Sequence, residues 1–579
     1  MEKTSDKISE EYLISKAEMP ITAVLPQEFN TQVIWERERG AAMINFRLDR
    51  ATRHGQDAEA LDTDDVRHGG LSLSTLADLH RAFTGLRPED HPVFVSTGAE
   101  GASVLGMFSA LLFANGQGNS ALRGTIGADP LGVLAAEGTL PMDIEALYDE
   151  LAATVLWAEL QMPELRTVLV DMVPYHAAGA AAAREIGYAA ATVEEYILAL
   201  GKRGVPVDVL LRHLTVSFAE GIDADLDKAK IVATADIISR ISGGKKGVQF
   251  IILPRQKAMY PASLVLGTVQ ERVIDEYILS GIKDISGAAN IMERMTESGL
   301  ANLEAVREKG GMLKLLSEGF IQQCVSDDLN GRLHRWAERL DHSEKLLAPR
   351  RPSSLYGVDT QRILWQRDRD ISEYRADIDE AVKAASIFEL ERTELKSCEL
   401  LTAVKKAYLS GATIGDVVIA LHQGEDDFFI NSVLPRHKAA AEFLKLRRFV
   451  AEFINDFKEK PMMYLARLSS ELSPCEKAVE TKLVKVMSPA GLAFFGEEFF
   501  STTEAAEKAL RSGAQILAFA ASPEMEYAIS EAAEIIRNQG ADMFIVGVGN
   551  IDHCDNLDCV INSTSSCLSL IPWTERDEY

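Results

Sequence analysis

Short apolar runs of strand length alternate, along most of this chain, with apolar positions spaced as on one face of a helix. Residues 43–48 alternate polar and apolar as a half-buried strand does. From His68 the rhythm is regular: 71–75, the helical ADLHRAF, 92–97, a helix through Leu111, then 122–126. It continues through 168–173, 214–218 and 248–253, with enough residues between runs for a crossover helix. Strands and helices in that order predict βαβ units and a parallel sheet. Seven such runs, with a short eighth at 281–285, favour an α/β architecture with a (β/α)8 TIM-type barrel over 41–346. An open sheet of the dinucleotide-binding kind is disfavoured, because no Gly-rich turn follows the first strands.

Outside that block the pattern weakens. Residues 1–40 form an N-terminal extension without a clear period, and the polar stretch 49–65 reads as a surface loop. From 290 to 346 the spacing is helical, broken at the Gly310–Gly311 pair. LAPRRPSSLYGVD, 347–359, has prolines, serines and no apolar period, so 347–459 is expected to be a linker followed by a helical region. Within it GATIGD, 411–416, separates two helices, and 433–457 has the Arg and Lys content of a solvated helix face. Strand-like runs return at 462–466, 491–495, 516–521, 543–548 and 559–561. With helices between them they predict a flavodoxin-like doubly wound domain over 460–579.

Composition narrows the class. The 579 residues are 47% hydrophobic and 25% charged, a soluble globular balance that excludes disordered and fibrous proteins. Lys and Arg number 60 against 87 Asp and Glu, and the formal charge of −27 repels phosphate backbones, so nucleic acid is not an expected partner. Six cysteines are too sparse for a disulfide framework and fit a reducing compartment. The charged start MEKTSDKISEEY lacks the apolar core of a secretory signal. The longest apolar run, 104–114, is far short of the roughly 20 residues of a membrane span, so no membrane association is expected and the chain reads as cytoplasmic.

Candidate chemistry is sparse. TVLVDMVPYHAAGAAAARE, 167–185, is an apolar strand stopped by Pro174 and followed by an alanine-rich helix with Glu185, Tyr188 and Tyr196 at helical spacings. His176 stands at the junction, where an α/β barrel carries its chemistry; the alternative is that it packs there or caps the helix. His553, Cys554, Cys559 and Cys567 bring two metal-ligand types but no CxxC pair or repeated spacing, so no metal site is assigned. GVGN, 547–550, is a turn after a strand, too short a signal to assign to phosphate.

Taken in order, GTIGADPLGVLAAEG (124–138), YHAAGAAAAREIGYA (175–189), SGAANIMERMT (286–296), GGM (310–312), GATIGD, AAEFLKLR (440–447) and ILAFAASPEMEY (516–527) resemble the methylmalonyl-CoA mutase family. The likeness runs from about His68 onward and is greatest to the family's small, non-catalytic subunit. It implies a substrate barrel joined by a helical linker to a cobalamin-binding-like domain. In catalytic chains of the family the barrel-mouth histidine sits in a YHxxEAGA pattern, whereas YHAAGA here is similar to the small subunit's form. Catalytic chains also carry DxHxxG after the first strand of the C-terminal domain, which supplies the imidazole below cobalt. The matching LARLSSELSPC, 465–475, has no histidine, and Asp552-His553 follows the fourth strand and lacks the glycine.

The resemblance therefore implies the small subunit of a heterodimeric adenosylcobalamin-dependent methylmalonyl-CoA mutase of propionate metabolism. That isomerase interconverts methylmalonyl-CoA and succinyl-CoA by a radical rearrangement. On this reading a larger catalytic partner holds adenosylcobalamin and substrate, while this chain binds no cofactor and no metal and has no assigned catalytic residue. Two alternatives stand beside it. The chain is itself an acyl-CoA mutase, with His176 contacting the thioester carbonyl and Tyr175 walling off the radical, or it is an acyl-CoA-binding regulatory protein. The region 230–244 is shorter than in family members, which leaves open an incomplete barrel whose parallel edge is buried against the partner.

Overall fold

The computed structural model describes residues 14–87, 89–221, 224–254, 288–329, 359–422, 427–435, 449–450, 453–454, 456–468, 477, 479–480, 483–484, 487, 491–521, 526–540, 543–549 and 556–561. They form two compact units: described residues up to 435 make the first, and those from 449 onward the second.

Among the described residues, the strands of the first unit are β1 (Ile14–Lys16), β2 (Ile44–Asn45), β3 (Val93–Gly98), β4 (Gly124–Ala128), β5 (Thr139–Leu140), β6 (Leu165–Asp171), β7 (Leu214–Ala219), β8 (Gln249–Leu253) and β9 (Phe428–Phe429). Seven of them lie parallel in the order β1-β8-β7-β6-β4-β3-β2, and β5 pairs antiparallel with β9 apart from these. The sheet curls until its edges approach. The Ala17 N–H donates to the Ile252 carbonyl of β8 at 3.0 Å, and the Ile21 N–H donates to the Asn45 carbonyl of β2 at 2.9 Å.

The eight-stranded barrel anticipated from the apolar rhythm is not what the described residues contain. Residues 71–75 add only a bridge from Leu71 to Leu48, and 281–285 lies outside the described residues. The seventh strand is β1, within the supposedly patternless extension; three residues of an edge strand are too few to register a period. The stretch 49–65 is also not a loop. Asp49 caps the helix Arg50–Arg53 by accepting from the Thr52 N–H at 2.7 Å, and Asp62 makes a capping box with Asp65 on the helix Thr63–His68. Its polarity is that of helix caps rather than of solvated coil, and Ala51, Thr52 and Ala58 are buried.

Strand alternation decides which side chains face where. Val93, Val95, Val168, Val170 and Phe250 pack on the convex side among helices, while Phe94, Leu169 and Ile251 face the concave side and cluster with Ala17, Met43 and Leu253. On that concave side the Thr125 and Thr215 hydroxyls bond each other at 2.8 Å across β6. With both faces covered, the strands read as nearly continuous apolar runs, as buried parallel strands do.

Helices Thr360–Ala376, Glu380–Glu391, Leu400–Leu409 and Ile414–His422 belong to the same unit. One anchor is Arg367, fully buried, whose two terminal nitrogens donate to the Asp78 carboxylate at 2.8 and 2.9 Å. Another is the close approach of Leu400–Leu409 to helix Ala102–Ala114. A Cβ at Gly106 would fall 2.3 Å from Val404 Cγ1, so only glycine fits.

The second unit holds β10 (Met462–Arg467), β11 (Ala493–Glu498), β12 (Ile516–Ala520), β13 (Phe544–Val548) and β14 (Cys559–Ile561), all parallel in the order β11-β10-β12-β13-β14. Numbered from its own first strand this is 2-1-3-4-5, with the chain reversing direction across β10 as in doubly wound sheets. Ile516, Ala518 and Ala520 face one apolar layer; Leu517 and Phe519 face the other, against helices Thr502–Arg511 and Glu526–Asn538. The linker 347–358, AAEFLKLR, residues 469–475, His553, Cys554 and Cys567 lie outside the described residues.

Candidate functional site at the carboxyl ends of the strands

In parallel α/β sheets, polar side chains at the carboxyl ends of the strands are held by the following turns and are free of the core's apolar demand. Here Asp129 directly follows β4 and Asp171 ends β6. Asp129 is the N-cap of helix Pro130–Glu137, with proline in the first turn, and its Oδ1 accepts from the Gly132 N–H at 2.9 Å. The same oxygen accepts from the Tyr196 hydroxyl at 2.6 Å, and Oδ2 accepts from the Asp171 N–H at 2.8 Å. Asp171 Oδ1 in turn accepts from the Ser217 hydroxyl at 2.6 Å and from the Val173 N–H at 3.0 Å. Burial pushes both carboxyls upward, Asp129 to about 6, against the bonds that favour their charge.

Beyond Asp171 the chain turns into the short helix Val173–Ala177 and then into Ala182–Gly201. His176 Nδ1 lies 2.7 Å from Glu185 Oε1, and Lys230 Nζ donates to Glu185 Oε2 at 2.9 Å. Lys230 also sits 4.9 Å from the centre of the Phe218 ring. Glu185 is completely buried. Burial alone would raise it, but the Lys230 ammonium and the His176 ring outweigh burial and hold it at about 2. Tyr175, next in sequence to His176, goes elsewhere. It is buried in the helix-side core 6.1 Å from the Tyr188 ring, and its hydroxyl has no hydrogen-bond partner among the described residues. Burial pushes that phenol well up.

Of the two barrel-mouth candidates, the fold brings only His176 into a polar cluster. A carboxylate-oriented imidazole is the usual frame of a general base. In this one the carboxylate is shared with a lysine, which fixes the ring as part of an internal ion network. Sequence reading missed Asp129, Asp171, Ser217 and Lys230. Asp-Pro at 129–130 was a readable N-cap signal, and Asp171 a readable polar stop to an apolar run. Lys230 had no local signal.

A cleft of about 460 Å3 opens beside the end of β3, between Arg53, His54, Glu137, Val418 and His422. Arg53 Nη1 and His54 Nε2 each meet the Glu137 carboxylate at 2.8 Å. Against burial, they hold Glu137 at about 2. At the carboxyl end of β10, Arg467 is ion-paired with Glu480, Nε to Oε2 at 2.9 Å. Among the described residues no three His, Cys, Asp or Glu side chains converge as a metal site, and no helix is long and apolar enough to cross a membrane. Of His553, Cys554, Cys559 and Cys567, only Cys559 is described.

Comparison with known proteins adds an independent line. Residues 18–247 and 259–427 match the family model described as methylmalonyl-CoA mutase. The chain is 38% identical over 164 residues to the methylmalonyl-CoA mutase small subunit of Streptomyces virginiae, an alignment covering 28% of this chain and 26% of that one. It is 22% identical over 498 residues to the methylmalonyl-CoA mutase of Cereibacter sphaeroides, covering 75% and 70% of the two chains. To that of Escherichia coli K12 it is 18% identical over 508 residues, with the same coverage of 75% and 70%.

Proposed function

The chain belongs to the methylmalonyl-CoA mutase family, and from that premise we propose that it is the small, non-catalytic subunit of a heterodimeric adenosylcobalamin-dependent mutase. A larger partner chain would hold the corrin and isomerise methylmalonyl-CoA to succinyl-CoA. The observation that carries this reading lies at the carboxyl end of β10. A chain that ligates cobalt from below needs an imidazole after that strand; here Arg467 is tied to Glu480, and residues 468–475 contain no histidine. A guanidinium has no lone pair to give, and the carboxylate is already bonded to it. Arg467 and Glu480 therefore do not fit the role of the cofactor's lower ligand.

Two further observations support the same reading. Phe94, Leu169 and Ile251 fill the concave side of the first sheet with apolar bulk, and His176 is engaged by Glu185. On this reading the first unit, a curled sheet of seven parallel strands among the described residues, corresponds to the family's substrate barrel without its chemistry, and the second to its flavodoxin-like, cobalamin-type domain without its ligand. Both would serve a cytoplasmic complex by shape and contact.

The test is affinity capture of the tagged chain co-expressed with its source's other proteins, read by mass spectrometry and absorbance. The expected result is one larger mutase chain at equal stoichiometry, no corrin spectrum from this chain alone, and a holoenzyme rate nearly unchanged by His176→Ala. If the lone chain takes up adenosylcobalamin and turns over methylmalonyl-CoA, the proposal fails and the chain is itself an acyl-CoA mutase. Calorimetric binding of an acyl-CoA by the lone chain, without turnover or partner, would instead favour the acyl-CoA-binding regulatory reading.

A further inference from the structure

A second buried charge cluster lies away from His176, where three elements meet. Glu100 follows β3, Glu150 sits within helix Ile144–Gln161, and His422 ends helix Ile414–His422. Glu150 Oε1 accepts from the Gly101 and Ala102 N–H groups at 2.9 and 2.7 Å, at the start of helix Ala102–Ala114. His422 Nε2 meets Glu100 Oε2 at 3.2 Å. Glu100 is 3% and Glu150 1% exposed, and the other oxygen of each, Glu100 Oε1 and Glu150 Oε2, has no hydrogen-bond partner among the described residues. Two buried acceptors left without donors are costly, and a proton is the smallest group that supplies one.

We propose that this cluster is a proton-dependent fastener, which with one proton on the carboxylate pair and one on His422 ties the end of helix Ile414–His422 to the turn after β3, and loosens as those protons leave. The charge count supports it. Two carboxyls sharing one proton carry a single negative charge, which a cationic His422 balances; removing either proton leaves an uncompensated buried charge.

Among the described residues, the groups facing the cluster offer no substitute cation. Helix Leu400–Leu409 contributes Tyr408, whose hydroxyl is itself unpartnered among the described residues, and Asp427 lies beyond His422. His422 lines two clefts. In one, Arg53 and His54 are both bonded to Glu137; in the other stand Asp149, Glu394 and Lys396, the lysine paired with Glu394. Burial, then the charge of Glu100, raises Glu150 to about 7. Burial lowers His422, but pairing with Glu100 and the nearby Glu150 and Asp427 outweigh it, and His422 is raised. Both groups therefore bind their protons more tightly folded than unfolded, so the fastening weakens as pH rises through about 7.

Hydrogen exchange by mass spectrometry on the full chain, corrected for intrinsic rates, tests this at about pH 6 and about pH 8. Peptides covering 414–422 are expected to open about tenfold more readily at the higher pH, while peptides covering 182–201 change little. Glu150→Gln, an uncharged stand-in for the protonated acid, should flatten the response. If that variant does not fold, His422→Gln carries the test: it should bring opening at pH 6 close to the wild-type level at pH 8. Equal protection of 414–422 at both pH values in the wild type, or a soluble variant that keeps the wild-type pH response, overturns the proposal.

Discussion

Two glutamates in this molecule sit on helices, are almost wholly buried and have a histidine nearby, yet they ionise at opposite extremes. Glu185 is held at about 2, and Glu150 is raised to about 7. Burial raises both and so cannot separate them. What separates them is the sign of the strongest charge acting on each: the Lys230 ammonium 2.9 Å from Glu185, against the Glu100 carboxylate at Glu150. Two backbone N–H groups reach Glu150, but partial charges do not offset a second buried anion. One cluster is thus a permanent internal salt network and the other a titrating one.

The comparison breaks most severely at Lys230. Lys230→Met leaves a buried carboxylate with His176 as its side-chain partner among the described residues, and the expected loss is about 3–5 kcal/mol, read as a lowered denaturation midpoint in urea. Glu185's folded value is depressed below its ordinary 4.5, so its contribution is present above that pH and lost as pH falls toward about 2. The variant should lose this acid limb as well, and a shift under about 1 kcal/mol would mean that Lys230 is not what holds Glu185.

A smaller effect, of opposite pH sign, belongs to Glu150. Its folded value is raised above 4.5, so between there and about 7 the folded chain keeps a proton that the unfolded chain has released, and wild-type stability falls as pH climbs through that window. Glu150→Gln should therefore gain on the wild type by about 1–2 kcal/mol between about pH 6 and pH 8, measured as paired unfolding curves. Parallel curves at all pH values would show that Glu150 does not titrate there.

The mildest change sharpens the contrast. His176→Gln leaves Glu185 its lysine, so a loss of only about 1 kcal/mol is expected in the same assay. A loss as large as that of Lys230→Met would show that the imidazole, and not the ammonium, is the essential counter-charge.

How much of this could be read from the chain follows from the range over which each feature is encoded. The turn after β6 was legible, because Val168, Leu169 and Val170 stop at Pro174 and an alanine-rich helix resumes. Glu185 was visible as a polar residue at helical spacing. The caps at Asp49 and Asp62 were misread as loop, since a capping acid and a solvated acid look alike until the helix behind them is seen. β1 was missed because ISK has no period, and its strand identity comes from β8 alongside it. Tyr175 and His176 look equivalent in sequence, but adjacent positions on a helix point about 100° apart, and the core took one while the ion network took the other.

The amino-acid sequence alone determined the alternation of strands and helices, the two α/β units, the family, and the lack of an imidazole after β10, because each is written in near-neighbour spacing or in the presence of a residue type. Tertiary structure alone decided which acids are charged. Lys230 reaches Glu185 across 45 residues and His422 reaches Glu100 across 322. A carboxyl's affinity for its proton depends on the charges within a few ångströms of it, and only the folded chain brings those together.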